Sequence, residues 1–193
     1  MGIALAAGDA ARLEQLLDEL GRWNRAYNLT SITNREAMVT HHLLDSLTIH
    51  GFLQGTRIAD VGTGAGFPGL PLAVLNPQRH FTLIDSAGKK IRFVSHVAHA
   101  LGLTNVEGLH GRVESLHPDQ PFDTIVARAF APLPDMLDKV APVTGPHSQV
   151  LAMKGKWPRE EVAAIPRGWR VAASHDLIIP GLDEARCVIV LTR

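Results

Sequence analysis

The chain has 193 residues, 46% hydrophobic and 20% charged, enough for one domain with a sizeable core, or one domain with a small appendage. Nineteen basic residues balance nineteen acidic ones, which excludes the globally basic surface that wraps free nucleic acid and leaves room only for a local basic patch. The single cysteine, Cys187, excludes an internal disulfide and any C-x-x-C metal or redox motif, and its surroundings CVIVL read as a buried strand. No apolar run approaches the roughly 20 residues that cross a bilayer. The opening MGIALAAG lacks the basic flank and length of a signal peptide. A cytoplasmic protein with no membrane or DNA partner is the expectation.

In chain order, Asp9 is placed to cap a helix whose Leu13, Leu16, Leu17, Leu20 and Tyr27 recur at three- and four-residue spacings. Asn28-Leu29-Thr30-Ser31 ends it. Thr33-x-x-Glu36 reads as a capping box opening a second helix through Met38, His42, Leu43 and Leu47. From Arg57 the pattern changes. The β-rich runs RIADV, HFTLID, DTIVAR and QVLAM, with a weaker VEGLHG, alternate with helical stretches, the clearest at 89–102 with Ile91, Val94, Ala98 and Leu101 on one face. Such alternation predicts an α/β fold, a doubly wound parallel sheet with helices on both sides. RVAASHDLIIP and RCVIVLTR, separated by GLDEA, predict an antiparallel pair at the sheet edge.

The run after the first strand, Gly62-Thr63-Gly64-Ala65-Gly66-Phe67-Pro68-Gly69, reads as a binding loop at the carboxyl end of the sheet, where such folds hold ligands. Gly64 to Gly69 is a G-x-G-x-x-G, the pattern that cradles a dinucleotide pyrophosphate. Asp60, at the end of the strand, argues for another ligand. A carboxylate there repels a diphosphate and suits a cation such as an α-amino group. Asp85, about twenty residues on, has the spacing that grips ribose hydroxyls. Ribose, adenine and a cationic amino acid without phosphate describe S-adenosylmethionine. Spacing alone leaves NAD open; Asp60 favours the sulfonium cofactor.

The methyl acceptor is read from what would have to activate it. No N/D-P-P-Y loop for an exocyclic amine follows the fourth strand, where the sequence is VARAFAPLPDM. Cys187 lies in the wrong element to attack a pyrimidine. A lone pair already free, such as guanine N7, needs neither nucleophile nor base. Arg128 stands where a ligand-facing side chain belongs and could fork onto a phosphate or a guanine edge, or be a plain strand-end arginine. Lys89 and Lys90, with Lys154 and Lys156, are candidate RNA contacts that solvated charge explains equally well. His41, His42, His96 and His99 lack company arranged for a metal, and none is expected.

The chain closely resembles the RsmG/GidB family over nearly its whole length. The resemblance runs through Asn28-Leu29-Thr30, His42-x-x-Asp45-Ser46-Leu47, Asp60 to Gly69, Leu83-Ile84-Asp85-Ser86 and Lys89-Lys90. It continues through Arg112-Val113-Glu114, Arg128-Ala129-Phe130-Ala131 and Lys154-Gly155. Members are bacterial S-adenosylmethionine-dependent methyltransferases acting on guanine N7 in 16S rRNA. The resemblance implies a class I methyltransferase sheet of seven strands with an N-terminal helical cap. It implies cofactor contacts at Gly62, Phe67, Val113, Glu114 and Arg128, beside the Asp60, Gly64 and Asp85 of the residue reading. Arg128 would order cofactor and guanine together, with no obligatory acid or base. The expected partner is 16S rRNA within the small ribosomal subunit or an assembly intermediate. Two departures stand out: His41 where an arginine is expected, which puts one RNA contact in doubt, and Ala127 where Ser or Thr is usual. Residues 1–50 are expected as a helical extension packed on a methyltransferase domain of residues 51–193, the two folding as one unit. An NAD-dependent oxidoreductase, a small-molecule methyltransferase and a non-catalytic RNA-binding assembly factor are the rival readings.

Overall fold

A computed structural model describes residues 2–193. Strands β1 (Arg57–Val61), β2 (His80–Asp85), β3 (Val106–His110), β4 (Phe122–Arg128), β5 (Thr144–Lys154), β6 (Arg170–Asp176) and β7 (Cys187–Thr192) form one sheet ordered β3-β2-β1-β4-β5-β7-β6. The first five pair in parallel; β7 runs antiparallel between β5 and the edge strand β6. The order reverses between β1 and β4, opening a crevice at the carboxyl ends of these strands. The doubly wound sheet and its antiparallel edge match the sequence pattern. The β6–β7 connection is longer than a hairpin turn, spanning residues 177–186, and closes with a hydrogen bond from Leu177 N to Arg186 O (2.8 Å).

Strand residues alternate between two cores, as a pleated sheet covered on both faces requires. Ile58, Leu83, Val126, Leu151 and Val188 face one side. Ala59, Ile84, Ile125, Val150 and Ile189 face the other, under α6 (Leu133–Val140). The first side carries α4 (Gly69–Leu75), α5 (Gly88–Ala100) and the long α1 (Asp9–Tyr27), which packs on both. Leu13, Leu16, Leu17 and Leu20 of α1 are buried in the same cluster as Leu70 and Phe93. At roughly 1.5–3 kcal/mol for each buried leucine, this seam is a large part of what holds the first helix down.

Several local expectations are corrected. Asp9 is the first helical residue, not the cap; Gly8 precedes it with φ 90, and the Asp9 carboxylate accepts from Ala6 N (2.8 Å). Tyr27 is exposed, and the end of that stripe is Asn24, whose side chain bonds Thr30 O and Thr30 N across the break. Asn28 ends α1 in the left-handed region (φ 48), where asparagine is tolerated. The second helix starts one residue later than the Thr33 box implies. Asn34 caps it, accepting from Ala37 N (3.0 Å), and α2 (Arg35–Met38) passes through a π-helical stretch, Val39–Leu44, into α3 (Asp45–Leu47). In α5, Phe93 and Val97 are buried beside the expected Ile91, Val94 and Ala98, because α1 covers a second face of that helix.

Candidate active site

The glycine loop is anchored to the neighbouring strand. Gly62 N and Thr63 N both donate to Ile84 O of β2 (2.9 and 3.0 Å). Gly62 has φ 68, and a Cβ there would lie 2.5 Å from Phe130 Cδ2, so backbone conformation and space both demand glycine. The Phe67–Pro68 peptide that closes the loop is cis.

The loop's amides point inward. Gly66 N and Phe67 N donate to Thr63 O, Gly64 N donates to Asp85 Oδ2 (2.9 Å), and Gly69 N donates to Asp60 Oδ2 (2.8 Å). A pyrophosphate would need these groups. They are spent on two carboxylates and on the loop's own carbonyl. This arrangement contradicts the dinucleotide reading and fits a ligand that brings a cation and hydroxyls. Asp60 is buried; its Oδ2 also accepts from Thr63 Oγ1 (2.6 Å), while its Oδ1 accepts nothing among the described residues. Burial pushes its carboxyl up to about 6, against the pull of those two hydrogen bonds and of the Arg128 charge. An orphaned carboxylate oxygen under the loop suits an ammonium donor. Asp85, also buried, takes Ala87 N on Oδ1 (2.8 Å) and Lys90 Nζ on Oδ2 (3.3 Å), leaving capacity on Oδ1 for a ribose hydroxyl.

Arg128 is no plain surface arginine. At the end of β4 it donates from NH1 to Asp45 Oδ2 (2.7 Å) and to His41 O (2.9 Å), and its guanidinium stands 5.8 Å from the Phe67 ring centre. The next residue, Ala129, sits at φ 51, a strained choice for alanine at the mouth of the crevice. Asp45 is 5% exposed and faces a second cation, Arg186, at 3.5 Å from Oδ1. His42 stacks on Phe67 (centroids 4.7 Å apart, 21° between planes), and its Nε2 meets Thr30 Oγ1 at 3.0 Å. Burial, and after it the Arg128 charge, lowers the imidazole to about 4, so it is neutral near pH 7. His41, His42, Asp45, Arg128, Ala129 and Arg186 line a cleft of ≈ 400 Å³ with Ile32 and Met153.

The other expected residues divide. Val113 and Glu114 occupy a single 3₁₀ turn after β3; Val113 is buried and Glu114 is half-exposed, 3.7 Å from Arg112. Lys89 Nζ donates to Tyr27 O (2.8 Å), bridging α5 to the end of α1. Lys154 lies in the cleft with its ammonium bound to Ala131 O (3.0 Å) and Glu161 Oε2 (2.8 Å), the same oxygen that accepts from Leu133 N. It therefore clamps the loop after Arg128. Lys156 is exposed beyond it. Cys187 is buried in the core under α6, with burial raising its thiol. The described residues contain no group of three His, Cys, Asp or Glu side chains that could hold a metal.

Sequence reasoning assigned no role to Asp45, His42 or Arg186. The His42-x-x-Asp45 spacing, which puts both on one helix face, was the available clue to the first two. For Arg186 there was none, since only the antiparallel return of β7 beside β5 brings it to the cleft.

Known proteins resemble this chain at two levels. Solved structures share the fold: a SAM dependent methyltransferase from Aquifex aeolicus (TM-score 0.63, 21% identity, covering 81% of this chain and 93% of that one) and TrmN from Thermus thermophilus (0.61, 22%, 77% and 47%). Curated relatives are closer in sequence. "Ribosomal RNA small subunit methyltransferase G" from Marinobacter nauticus is 43% identical over 193 residues, covering 100% of this chain and 90% of the relative. The protein of that name from Saccharophagus degradans is 48% identical over 183 residues, covering 93% and 82%. The model of the GidB family, described as rRNA small subunit methyltransferase G, matches residues 9–189. With its class I methyltransferase sheet and a glycine loop built over Asp60, the chain belongs to the GidB family of small-subunit rRNA methyltransferases.

Proposed function

We propose that this protein transfers the methyl group of S-adenosylmethionine to N7 of one guanine in 16S rRNA, acting in the cytoplasm on the small ribosomal subunit or an assembly intermediate. The observation that supports it most is the loop whose amides are turned onto Asp60 and Asp85, beside an Arg128 cleft lined by no Cys, Ser or Thr and whose Asp45 is engaged by Arg128 and Arg186. The cofactor supplies an electrophilic methyl on a sulfonium. Asp60 Oδ1 would take its amino group, Asp85 its ribose, the Val113–Glu114 turn its adenine, and Gly62, Gly64 and Phe67 its flank.

Guanine N7 carries its lone pair at neutral pH, so the protein has no proton to remove and works by alignment. Arg128 is fitted to that task. NH1 is committed to Asp45 and His41, which leaves Nε and NH2 without hydrogen-bond partners among the described residues. A donor placed on N7 would occupy the attacking lone pair; the same fork placed on guanine O6 or a flanking phosphate orients the base without blocking it. His42, neutral and stacked on Phe67, packs the loop rather than transferring protons.

The test compares 16S rRNA from a strain lacking the protein with that of its parent, by chemical cleavage at N7-methylguanine. Loss of one cleavage, restored by the wild-type gene and not by Gly62→Asp, is expected. An unchanged cleavage pattern overturns the proposal.

A further inference from the structure

A second cavity is larger than the Arg128 cleft. It is a groove of ≈ 830 Å³ between the C-terminal half of α1 and residues 28–38. In a chain of zero net charge, its lining carries three arginines, Arg22, Arg25 and Arg35, against one acid, Asp18. Asn28, Ser31 and Thr33 add neutral hydrogen-bonding groups along the same wall. Arg25 is exposed and has no ion pair among the described residues. Arg22 pairs with Glu19 and Arg35 with Asp18, Arg35 also donating to Glu14 O (3.2 Å); both guanidiniums are exposed (side chains 66% and 44%), and exposed pairs of this kind hold their partners weakly.

The groove adjoins the catalytic cleft. The extended segment 30–33 is their common wall: Ile32 lines the cleft, while Thr30, Ser31 and Thr33 line the groove. Thr30 belongs to both settings, since its hydroxyl holds His42 of the cleft. At the other rim the end of α1 is tied to Lys89 by the Tyr27 O hydrogen bond, and Lys90 follows at the mouth of the Asp85 site. Lys89 thus stands against the end of α1, next to the Asn28 that lines the groove.

Resting on the rRNA methyltransferase reading, we propose that this groove docks the ribose-phosphate backbone flanking the target guanine. The partner's chemistry follows from the lining. Guanidiniums fork onto phosphate oxygens, and amide and hydroxyl groups at intervals along the wall suit 2′-hydroxyls. A protein of zero net charge can bind RNA in this way, through a local set of guanidiniums on the wall beside the cleft.

The experiment measures binding of protein-free 16S rRNA, and of small subunits from a strain lacking the protein, at several salt concentrations. Wild type is compared with Arg25→Ala and with Arg22→Ala/Arg25→Ala. S-adenosylmethionine affinity and melting temperature serve as controls for folding. The proposal predicts at least tenfold weaker RNA binding by the double variant, with a log–log salt slope smaller by about 0.7–0.9 for each phosphate that is no longer neutralised, and an unchanged cofactor affinity. Equal RNA affinity and slope in wild type and variant overturn it. Weakening on subunits but not on protein-free RNA also overturns it, by identifying a ribosomal protein as the occupant. Whether the wild type methylates rRNA is read separately, so failure of the function and failure of the groove give different results.

Discussion

Asp45→Asn tests the arrangement around Arg128 most sharply. The substitution keeps the size of a side chain that is 5% exposed and keeps one acceptor for Arg128 NH1, but it removes the charge that two guanidiniums share. Breaking a buried ion pair from one side costs about 3–5 kcal/mol. The retained acceptor, and an Arg128 side chain 21% exposed, place this case lower, at about 2–3 kcal/mol. For a chain of this length that lowers the melting temperature by about 4–12 °C. Turnover should suffer more than stability implies. With NH1 no longer held at 2.7 Å, the fork proposed to orient the base would drift, and a misplacement of about 1 Å costs on the order of 100-fold in rate. The assay pairs thermal melting with methyl transfer at saturating cofactor, with cofactor affinity measured separately by calorimetry. Asp45→Asn in an Arg128→Ala background should add little further loss of rate, because Asp45 acts through Arg128. A variant that melts within a degree of wild type and turns over within twofold of it would refute the positioning role.

Other expectations follow from the same geometry. Gly62→Asp should abolish cofactor binding, since even a Cβ there falls 2.5 Å from Phe130; calorimetry showing wild-type affinity would remove the loop from the site. Asp60, held at about 6 by burial, should make cofactor affinity fall about tenfold per pH unit below 6 as its anion is lost, and a flat affinity from pH 7 to 5 would contradict its pairing with an amino group. The same shift has a folding consequence. The raised value means the free protein gains stability as pH falls from about 6 toward 3.8, so Asp60→Asn should stabilise the free protein near pH 7, by about 3 kcal/mol at most, and not at pH 4; urea titrations at the two pH values check it. His42 has the opposite sign. Lowered to about 4, it contributes stability that is complete above 6.5 and lost as pH falls through 4, so a His42→Gln variant should flatten the acid limb of the stability curve. We further propose that residues 1–50 and 51–193 fold as one unit, so that thermal unfolding followed in α1 through Trp23, with Trp157 and Trp169 changed to Phe, coincides with loss of the sheet's circular dichroism; two separate transitions would refute it.

The parts of the fold legible in sequence are those written by local chemistry. The strands β1, β2 and β4 announce themselves as short apolar runs because both their faces are buried, and Gly62, Gly64 and Gly66 announce a loop because their backbone needs positive φ. Asp60 reads in sequence as the feature that favours a sulfonium cofactor over a dinucleotide, and in the structure its carboxylate accepts from Gly69 N, an amide a pyrophosphate would use. Illegible were the interactions between distant segments. Arg128 was placed on the cleft by its position after β4, yet its partner Asp45 lies 83 residues away, and no local pattern links the two. Lys154 reads as an RNA-contact candidate in sequence, and only the fold shows Glu161 and Ala131 holding its ammonium. The groove beside α1 had no motif at all, since it arises from where the Asn28 turn sends residues 28–38 past the helix.

The most direct measurement is transfer of labelled methyl from S-adenosylmethionine by the purified protein to small ribosomal subunits from a strain lacking it, with chemical cleavage at N7-methylguanine to locate the label. The account predicts label at one guanine of 16S rRNA from the wild type and none from the Gly62→Asp variant. Label in no RNA at any assembly state, from a protein that still binds the cofactor, would contradict it.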